Sequence, residues 1–346
     1  MPSASRRLSP ALLALVGLFV GPACRPVESP TPSPTATVAL SPADAPKNNR
    51  VVCLFSDSRM PFQRAQAQYL SVLDAQDTQH RLSFRDAQGD PDLQVRQLAA
   101  LSADPPKALL LQPADPALCE ETLKQLKAKG TRVIIIDPAQ TTFTPAPPAD
   151  SVLICDPFQI GMTAAKITLQ ALARRATARD QTAIEGRVVE LRGSDDSPWC
   201  ARVHDGFVKG LQAEPGVVLV HDAPTDWLPQ SVGPRFAEAL RLQKSIDVIF
   251  AHDDFLAQSA HEVTTQSGKR EDILIIGVNA FAGPEGGLEM IRRHQIDASI
   301  LRPFLVDHAW NLISGATSTE QSNPRTFPPK AILPADLDRF LKTGSF

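Results

Sequence analysis

Aromatic residues are scarce, at 5% of the 346-residue chain, with a single tyrosine. Charge of one sign is missing as well: 35 Lys and Arg stand against 38 Asp and Glu, a formal net charge of −3. Without a basic excess there is no electrostatic footprint for nucleic acid or another polyanion. The five cysteines are scattered singly, with no CxxC pair. That excludes a clustered zinc or iron–sulfur site and a dense disulfide framework. GxSxG, the P-loop, GxGxxG and HExxH are also absent, so the common linear signatures of hydrolase, nucleotide and metalloprotease chemistry are missing. What the chain has is 43% hydrophobic residues, enough for a buried core, at a length that allows two domains. It also has 31 prolines, many of them near its start.

Residues 1–24 read as a secretory signal. Arg6 and Arg7 supply the positive region, and Leu8 to Val20 an apolar stretch too short to span a bilayer. Gly21-Pro22-Ala23-Cys24 follows and resembles a bacterial lipobox, in which Cys24 would carry lipid; a plain secreted protein and an uncleaved anchor are the alternatives. Residues 25–50 are a linker in which prolines punctuate Ser, Thr and Ala, a composition that favours extended polyproline-like chain.

From residue 51 short apolar runs alternate with amphipathic stretches. The runs are Val51–Phe55, Arg81–Arg85, Ala108–Leu111, Val133–Ile136 and Val152–Cys155. Helices are expected at Pro61–Leu73, Asp92–Leu101 and Pro116–Lys129. A long helix over Phe158–Arg175 follows, and the pattern restarts. New strands are expected at Arg187–Leu191, Val217–Val220, Asp247–Ala251, Ile273–Gly277 and Ala298–Leu301, with helices at Pro198–Leu211, Pro229–Gln243, Asp254–Gln266 and Pro284–His294. Continuous apolar runs separated by helices mark parallel strands buried on both faces. The chain therefore holds two doubly wound α/β units, and ligands of such sheets bind beyond the carboxyl ends of the strands.

The residues at those ends are Ser56 and Phe62 after the first strand, Asp137 after the fourth, and Trp227, Asp253, Asn279 and Arg302 in the second unit. Trp199 and Arg202 lie in a further loop on the same side. Carboxylates, amides and a guanidinium with aromatic rings suit a polyhydroxylated or zwitterionic small ligand. Each also has a structural reading. Asp254, and with it Asp253, can cap the following helix; Asp137 can end a strand; Asn279 can serve a turn; Arg302 can pair with an acid; Phe62 and Trp227 can be packing residues.

This arrangement resembles the type 1 periplasmic sugar-binding proteins, the ribose- and galactose-binding group that serves ABC transporters. The resemblance covers nearly all of residues 50–345. It rests on Phe55-Ser56 through Pro61-Phe62, on Val133–Asp137, on Val248–Asp254, on Ile275–Asn279 followed by Gly283-Pro284, and on Ala298–Ile300 followed by Arg302. It implies the periplasmic binding protein type 1 fold: two Rossmann-like parallel-sheet domains joined by a three-crossing hinge. The domains would be 51–157 with about 303–325, and 158–302 with about 326–346. It implies that Phe62 and Trp227 sandwich the ligand, that Asp137, Asp253, Asn279 and Arg302 hydrogen-bond it, and that Ser56 lines the cavity. Trp199 and Arg202 belong to a further ligand loop. Met60, Pro138 and Asn279 depart from the family pattern, as does the spacing of Arg202 to Gly206-Phe207. These departures leave open a ligand less hydroxylated or differently charged than a pentose.

The expected function is an extracytoplasmic solute-binding protein that captures a sugar-like ligand and delivers it to an ABC permease. The alternative is an envelope sensor that presents its ligand to a chemoreceptor or sensor kinase. An enzyme is disfavoured because no catalytic constellation is legible, and a transcriptional regulator because no helix-turn-helix precedes the core. No cofactor, metal or nucleic acid is expected. The protein should be a monomer in the periplasm or cell envelope, touching the membrane through a lipid on Cys24 alone. Of the remaining cysteines, Cys53 and Cys155 fall in strands that would not be neighbours. Cys200, beside Trp199, is the one with a case for reactivity.

Overall fold

A computed structural model describes residues 49–138, 147–243, 245–316 and 323–343. The signal-like stretch with Cys24, and nearly all of the linker, lie outside the described residues.

The first sheet is built from β1 (Arg50–Phe55), β2 (Arg81–Asp86), β3 (Ala108–Leu111), β4 (Arg132–Ile136) and β5 (Ser151–Ile154). The helices between them are α1 (Pro61–Gln76), α2 (Pro91–Leu101) and α3 (Pro116–Ala128). After α4 (Pro157–Ala178) the alternation repeats as β6 (Gly186–Arg192), α5 (Pro198–Leu211), β7 (Val217–Pro224), α6 (Pro229–Leu242), β8 (Val248–Ala251), α7 (Asp254–Gln266), β9 (Leu274–Asn279), α8 (Gly287–Arg292) and β10 (Ala298–Leu301). The chain ends as α9 (Leu305–Ser314), β11 (Arg325–Thr326), β12 (Lys330–Ile332) and α10 (Leu337–Thr343).

The two six-stranded sheets run β11-β5-β4-β3-β1-β2 and β12-β10-β9-β8-β6-β7. Every pairing is parallel except that of β12 with β10. The fold is thus two parallel-sheet α/β domains. Strand residues alternate between two cores: Val51, Cys53 and Phe55 join one cluster, and Val52 and Leu54 the cluster on the opposite face. Proline at the first turn, after an Asp or Ser whose side chain accepts a backbone N–H, starts α2, α3, α4 and α5; the caps are Asp90, Asp115, Asp156 and Ser197.

The chain passes between the sheets three times. It leaves the first sheet after β5, returns after β10 to lay Leu305, Val306, Ala309 and Trp310 on the first sheet's core, and crosses again after β11, so that Ile332 and Leu337 join the second sheet's core. One expected element is shorter than the periodicity suggests. The helix expected over Pro284–His294 is confined to Gly287–Arg292, because the Asp254 carboxylate accepts from the Ala280 and Gly287 amides and holds residues 280–287 as a loop.

All four described cysteines are buried free thiols. Cys53 on β1 and Cys155 after β5 are separated by β3 and β4, so they cannot bridge. Among the described residues no helix is long and apolar enough to cross a membrane.

The packing of α4 on α5 relies on Gly161 and Gly206. A Cβ at Gly206 would lie 2.0 Å from the Phe158 carbonyl oxygen, and one at Gly161 2.0 Å from that of Val203. Both obstacles are backbone and cannot swing away. Gly206→Ala is therefore expected to lower the unfolding free energy by about 2–3 kcal/mol, read from a shifted urea midpoint at unchanged slope.

Candidate functional site

The carboxyl ends of the two sheets face a cavity of about 380 Å³. The first sheet contributes Ser56, Asp57 and Met60 after β1, Gln63 from α1, Gly89, Gln112 with Pro113 and Ala114 after β3, and Asp137 after β4. The second sheet contributes the 196–199 segment, Trp227 after β7, His252 and Asp253 after β8, and Arg302 after β10. A larger hollow of about 620 Å³ opens at Lys127, Gly130, Thr131, Arg132 and Asp150, by the amino end of β4. Its acid is already used: Asp150 accepts from Lys127 and from the Val133 amide. Buried polar groups converge in the first cavity and not in the second.

Arg302 organises that convergence. Its Nη2 lies 3.1 Å from Asp137 Oδ2 on the first sheet, and its Nη1 donates to Asn279 Oδ1 at 3.2 Å on the second. Its Cζ sits 4.3 Å from the centre of the Phe62 ring and 5.2 Å from that of Trp199. Its Nε is buried with no hydrogen-bond partner among the described residues. Asn279 in turn donates through Nδ2 to Asp253 Oδ2, and Asp253 Oδ1 accepts from the Phe255 amide to cap α7. Burial raises the Asp137 pKa, with Arg302 pulling it back. Burial and the neighbouring Asp254 charge push Asp253 well above the usual carboxylate range. Asp137, Trp227 and Asn279 all adopt positive φ, at 43°, 57° and 110°. Such strain gathers where a side chain must be aimed against its backbone preference.

The expected site residues therefore divide. Ser56, Asp137, Trp227, Asp253, Arg302 and Trp199 line the cavity. Phe62 does not. It is 1% exposed, packed on Phe304 and Phe281, and its face is covered by Arg302. Asn279 is likewise 0% exposed and positions Asp253 and Arg302 from behind the lining. Arg202 points elsewhere, pairing with Asp156 at 3.4 Å over the Phe158 ring. The cap of α7 is Asp253; Asp254 is fully buried and accepts from Ser299 Oγ besides the two loop amides. Cys200 is 0% exposed, so access to its sulfur is restricted; burial alone would raise its pKa, but the neighbouring His252 brings it below the ordinary thiol value.

The aromatic wall is a pair from the second sheet. The Trp199 and Trp227 rings lie 6.1 Å apart at 45°. Trp227 fits because residue 193 is glycine: a Cβ there would fall 2.1 Å from the indole.

Glu190, His252 and Gln112 carry roles the sequence reading did not assign. Glu190 sits inside β6, fully buried, and meets His252 Nε2 at 2.8 Å and His204 Nδ1 at 2.6 Å. Its only sequence signal is a carboxylate inside an apolar strand run. Burial alone would raise Glu190, but the two imidazoles hold it below its usual range. Burial alone would lower His252, but hydrogen bonding with Cys200 and Glu190, and the Glu190 charge, lift it from 6.5 to about 9. Gln112, at the end of β3, is found by the strand-end rule; it accepts from Ser56 Oγ at 3.1 Å. Among the described residues no group of three His, Cys, Asp or Glu side chains is placed to hold a metal ion.

Residues 60–304 match the family described as a periplasmic binding protein domain. The chain is 26% identical over 216 residues to the ribose import binding protein of Bacillus subtilis, covering 62% of this chain and 64% of that relative. Among solved structures it is similar in fold to a solute-binding protein of an ABC transporter from Bacillus halodurans with bound myo-inositol (TM-score 0.70, 17% identity, 86% of this chain and 99% of that one). It is similar also to one from Actinobacillus succinogenes with bound D-allose (TM-score 0.71, 16% identity, 84% and 100%). The fructose-binding periplasmic domain of a hybrid two-component system matches at TM-score 0.70 with 18% identity over 85% and 94%.

The Glu190–His252 pair makes stability depend on pH. The folded pKa of His252, about 9, lies above its ordinary 6.5. Its contribution is complete below the lower value and is lost as pH rises through the upper one. Glu190, held below its ordinary 4.5, contributes above that value and loses its contribution as pH falls. Unfolding free energy measured in urea should therefore decline between about pH 6.5 and 9. In His252→Gln the decline should be weaker, and the variant should itself lose about 3 kcal/mol by leaving the Glu190 charge under-compensated.

Proposed function

The chain belongs to the type 1 periplasmic sugar-binding family, and from that premise we propose that it is an extracytoplasmic solute-binding protein that closes two lobes over a small polyhydroxylated ligand and delivers it to an ABC permease. The observation that carries the reading is a cleft between two parallel sheets in which the Asp137 side chain, 4% exposed, and the buried Asp253 and Arg302 converge from both sides. A hydroxylated ring offers donors to the carboxylates, acceptors to the guanidinium, and a C–H face to the Trp199–Trp227 wedge. The lobes would be residues 51–157 with about 303–325, and 158–302 with about 326–346. Ser56 and Gln112 add a hydroxyl and an amide at the cavity wall. The family's members are solute-binding proteins and not enzymes, and they work outside the cytoplasm. For this chain we place the folded part in the periplasm or cell envelope, as a monomer tethered by a lipid on Cys24 and a proline-rich linker.

A sensor role is the second reading. It is favoured by the fold likeness to the fructose-binding domain of a hybrid two-component system, at a TM-score equal to that of the myo-inositol-bound solute-binding protein. Ligand capture is common to both readings. Co-purification with a permease or with a sensor kinase separates them.

The direct test is a thermal-shift screen of the purified chain against hexoses, pentoses and inositols. A ligand at a hundred times its dissociation constant stabilises the folded state by about 2.7 kcal/mol and moves the melting temperature upward. Trp227→Ala should abolish that shift while leaving the ligand-free melt nearly unchanged. A panel without any shift, or an unaltered shift in Trp227→Ala, contradicts the assignment.

A further inference from the structure

The charges lining the cleft do not balance. Three of its carboxylates have cations of their own. Asp57 is chelated by Arg59, with Nε and Nη2 each 2.8 Å from a carboxylate oxygen. Asp137 is matched by Arg302 at 3.1 Å. Glu190, behind the wall, is matched by His252 at 2.8 Å. Two cavity-lining carboxylates are left over. Asp253 is 5% exposed and, among the described residues, accepts hydrogen bonds from neutral donors, the Phe255 amide and Asn279 Nδ2; the Arg302 charge reaches it, but burial and the adjacent acid Asp254 outweigh that pull. Asp196 stands at the cavity and, among the described residues, accepts from the Ser194 hydroxyl. Among the described residues neither makes an ion pair. A buried carboxylate without a cation is costly, and it becomes favourable once an opposite charge is brought to it. The same cleft presents two indole rings, whose faces attract cations. It also holds a buried Arg302 Nε–H with no acceptor, a vacancy that a ligand oxygen can fill.

We propose that the ligand is a polyhydroxylated ring carrying a positive charge, an aminodeoxy sugar or aminocyclitol, whose ammonium group is received by Asp253 with Asp196 beside the entrance, and whose hydroxyl oxygen accepts from Arg302 Nε. The inference rests on the solute-binding reading above and narrows its ligand class. The high pKa of Asp253 agrees with it: burial and Asp254 keep this carboxyl protonated far more readily than an ordinary one, and an arriving ammonium makes its ionised form favourable.

The test pairs each amine with its neutral parent: D-glucosamine with D-glucose, D-galactosamine with D-galactose, and scyllo-inosamine with scyllo-inositol. Titration calorimetry on the purified chain reads the affinity. At least one amine is expected to bind roughly tenfold tighter than its parent or better, the size of effect that a charge-assisted hydrogen bond produces. N-acetylation should remove the advantage. Asp253→Asn keeps a residue type that caps helices well, so α7 should survive, and it should erase the preference for the amine. Asp196→Asn, on the exposed side chain, should weaken the preference without altering the melt. If a neutral parent binds as tightly as its amine, or if the preference persists in Asp253→Asn, the inference is overturned while the solute-binding reading stands. If neither amines nor neutral sugars bind, both are overturned.

Discussion

A guanidinium taken out of water needs partners for its protons and flat surfaces for its faces, and the buried Arg302 imposes that requirement on the whole cleft. Asp137 and Phe62 come from the first sheet to meet it, and Asn279 and Trp199 from the second. The demand propagates outward. Asn279 can face Arg302 and Asp253 only from a backbone at φ 110°, followed by Ala280 at 44°. That unusual turn is held by Asp254, which accepts from the Ala280 and Gly287 amides. Asp253, fixed by Asn279, caps α7. One cation thus sets the conformations of the β9–α8 loop, the start of α7 and the end of β4. Strain at these positions is tolerated because each is over-determined by several hydrogen bonds.

The fold was legible because parallel strands buried on both faces leave uninterrupted apolar runs, and such runs alternating with helices in two successive sets mark two doubly wound sheets. Val51–Phe55, Ala108–Leu111 and Ala298–Leu301 were found within a residue of their limits. Less was legible in the site. Standing after a strand gives a residue an address on the cleft side, but it does not give a depth. Phe62 and Ser56 share such an address. Ser56 lines the cavity, while Phe62 is driven beneath it, where the Phe281 and Phe304 rings surround it and Arg302 covers it. Arg302 was read as a ligand contact, with pairing to an unnamed acid as the structural alternative. The acid that occupies that charge, Asp137, is 165 positions away in sequence, and its partnership is a property of the folded chain. Trp199 was expected only as part of a further ligand loop, without a role of its own, yet it completes the aromatic wedge with Trp227 because the β6–α5 loop brings it there.

Glu190 was illegible for a related reason. A lone acid in an apolar strand has no local partner, and its two imidazoles arrive from α5 and from the end of β8. The arrangement places an ionised pair directly behind the cavity wall, since His252 also faces Trp199 edge-on at 5.9 Å. The wall is therefore stiffened by charge as well as by packing, a combination in which each buried group is tolerable only while the others are present.

The same balance bears on how a ligand could drive closure. The Arg302–Asp137 contact bridges the two sheets, so this arrangement of the cleft has an internal fastening. That fastening is weak as a driving force, because separating the sheets would return both ions to water, and the hydration regained offsets most of the lost attraction. What differs between closed and open arrangements is then the ungratified remainder. In this cleft, among the described residues, Arg302 Nε has no acceptor and Asp253 makes no ion pair. Both are penalties that water would relieve on opening and that a suitable ligand relieves on closing. A ligand shifts a conformational equilibrium only by its difference in affinity for the two states. Leaving two buried polar groups unanswered is the means by which a cleft makes that difference large, since the groups reward only a molecule that brings the right complement to both.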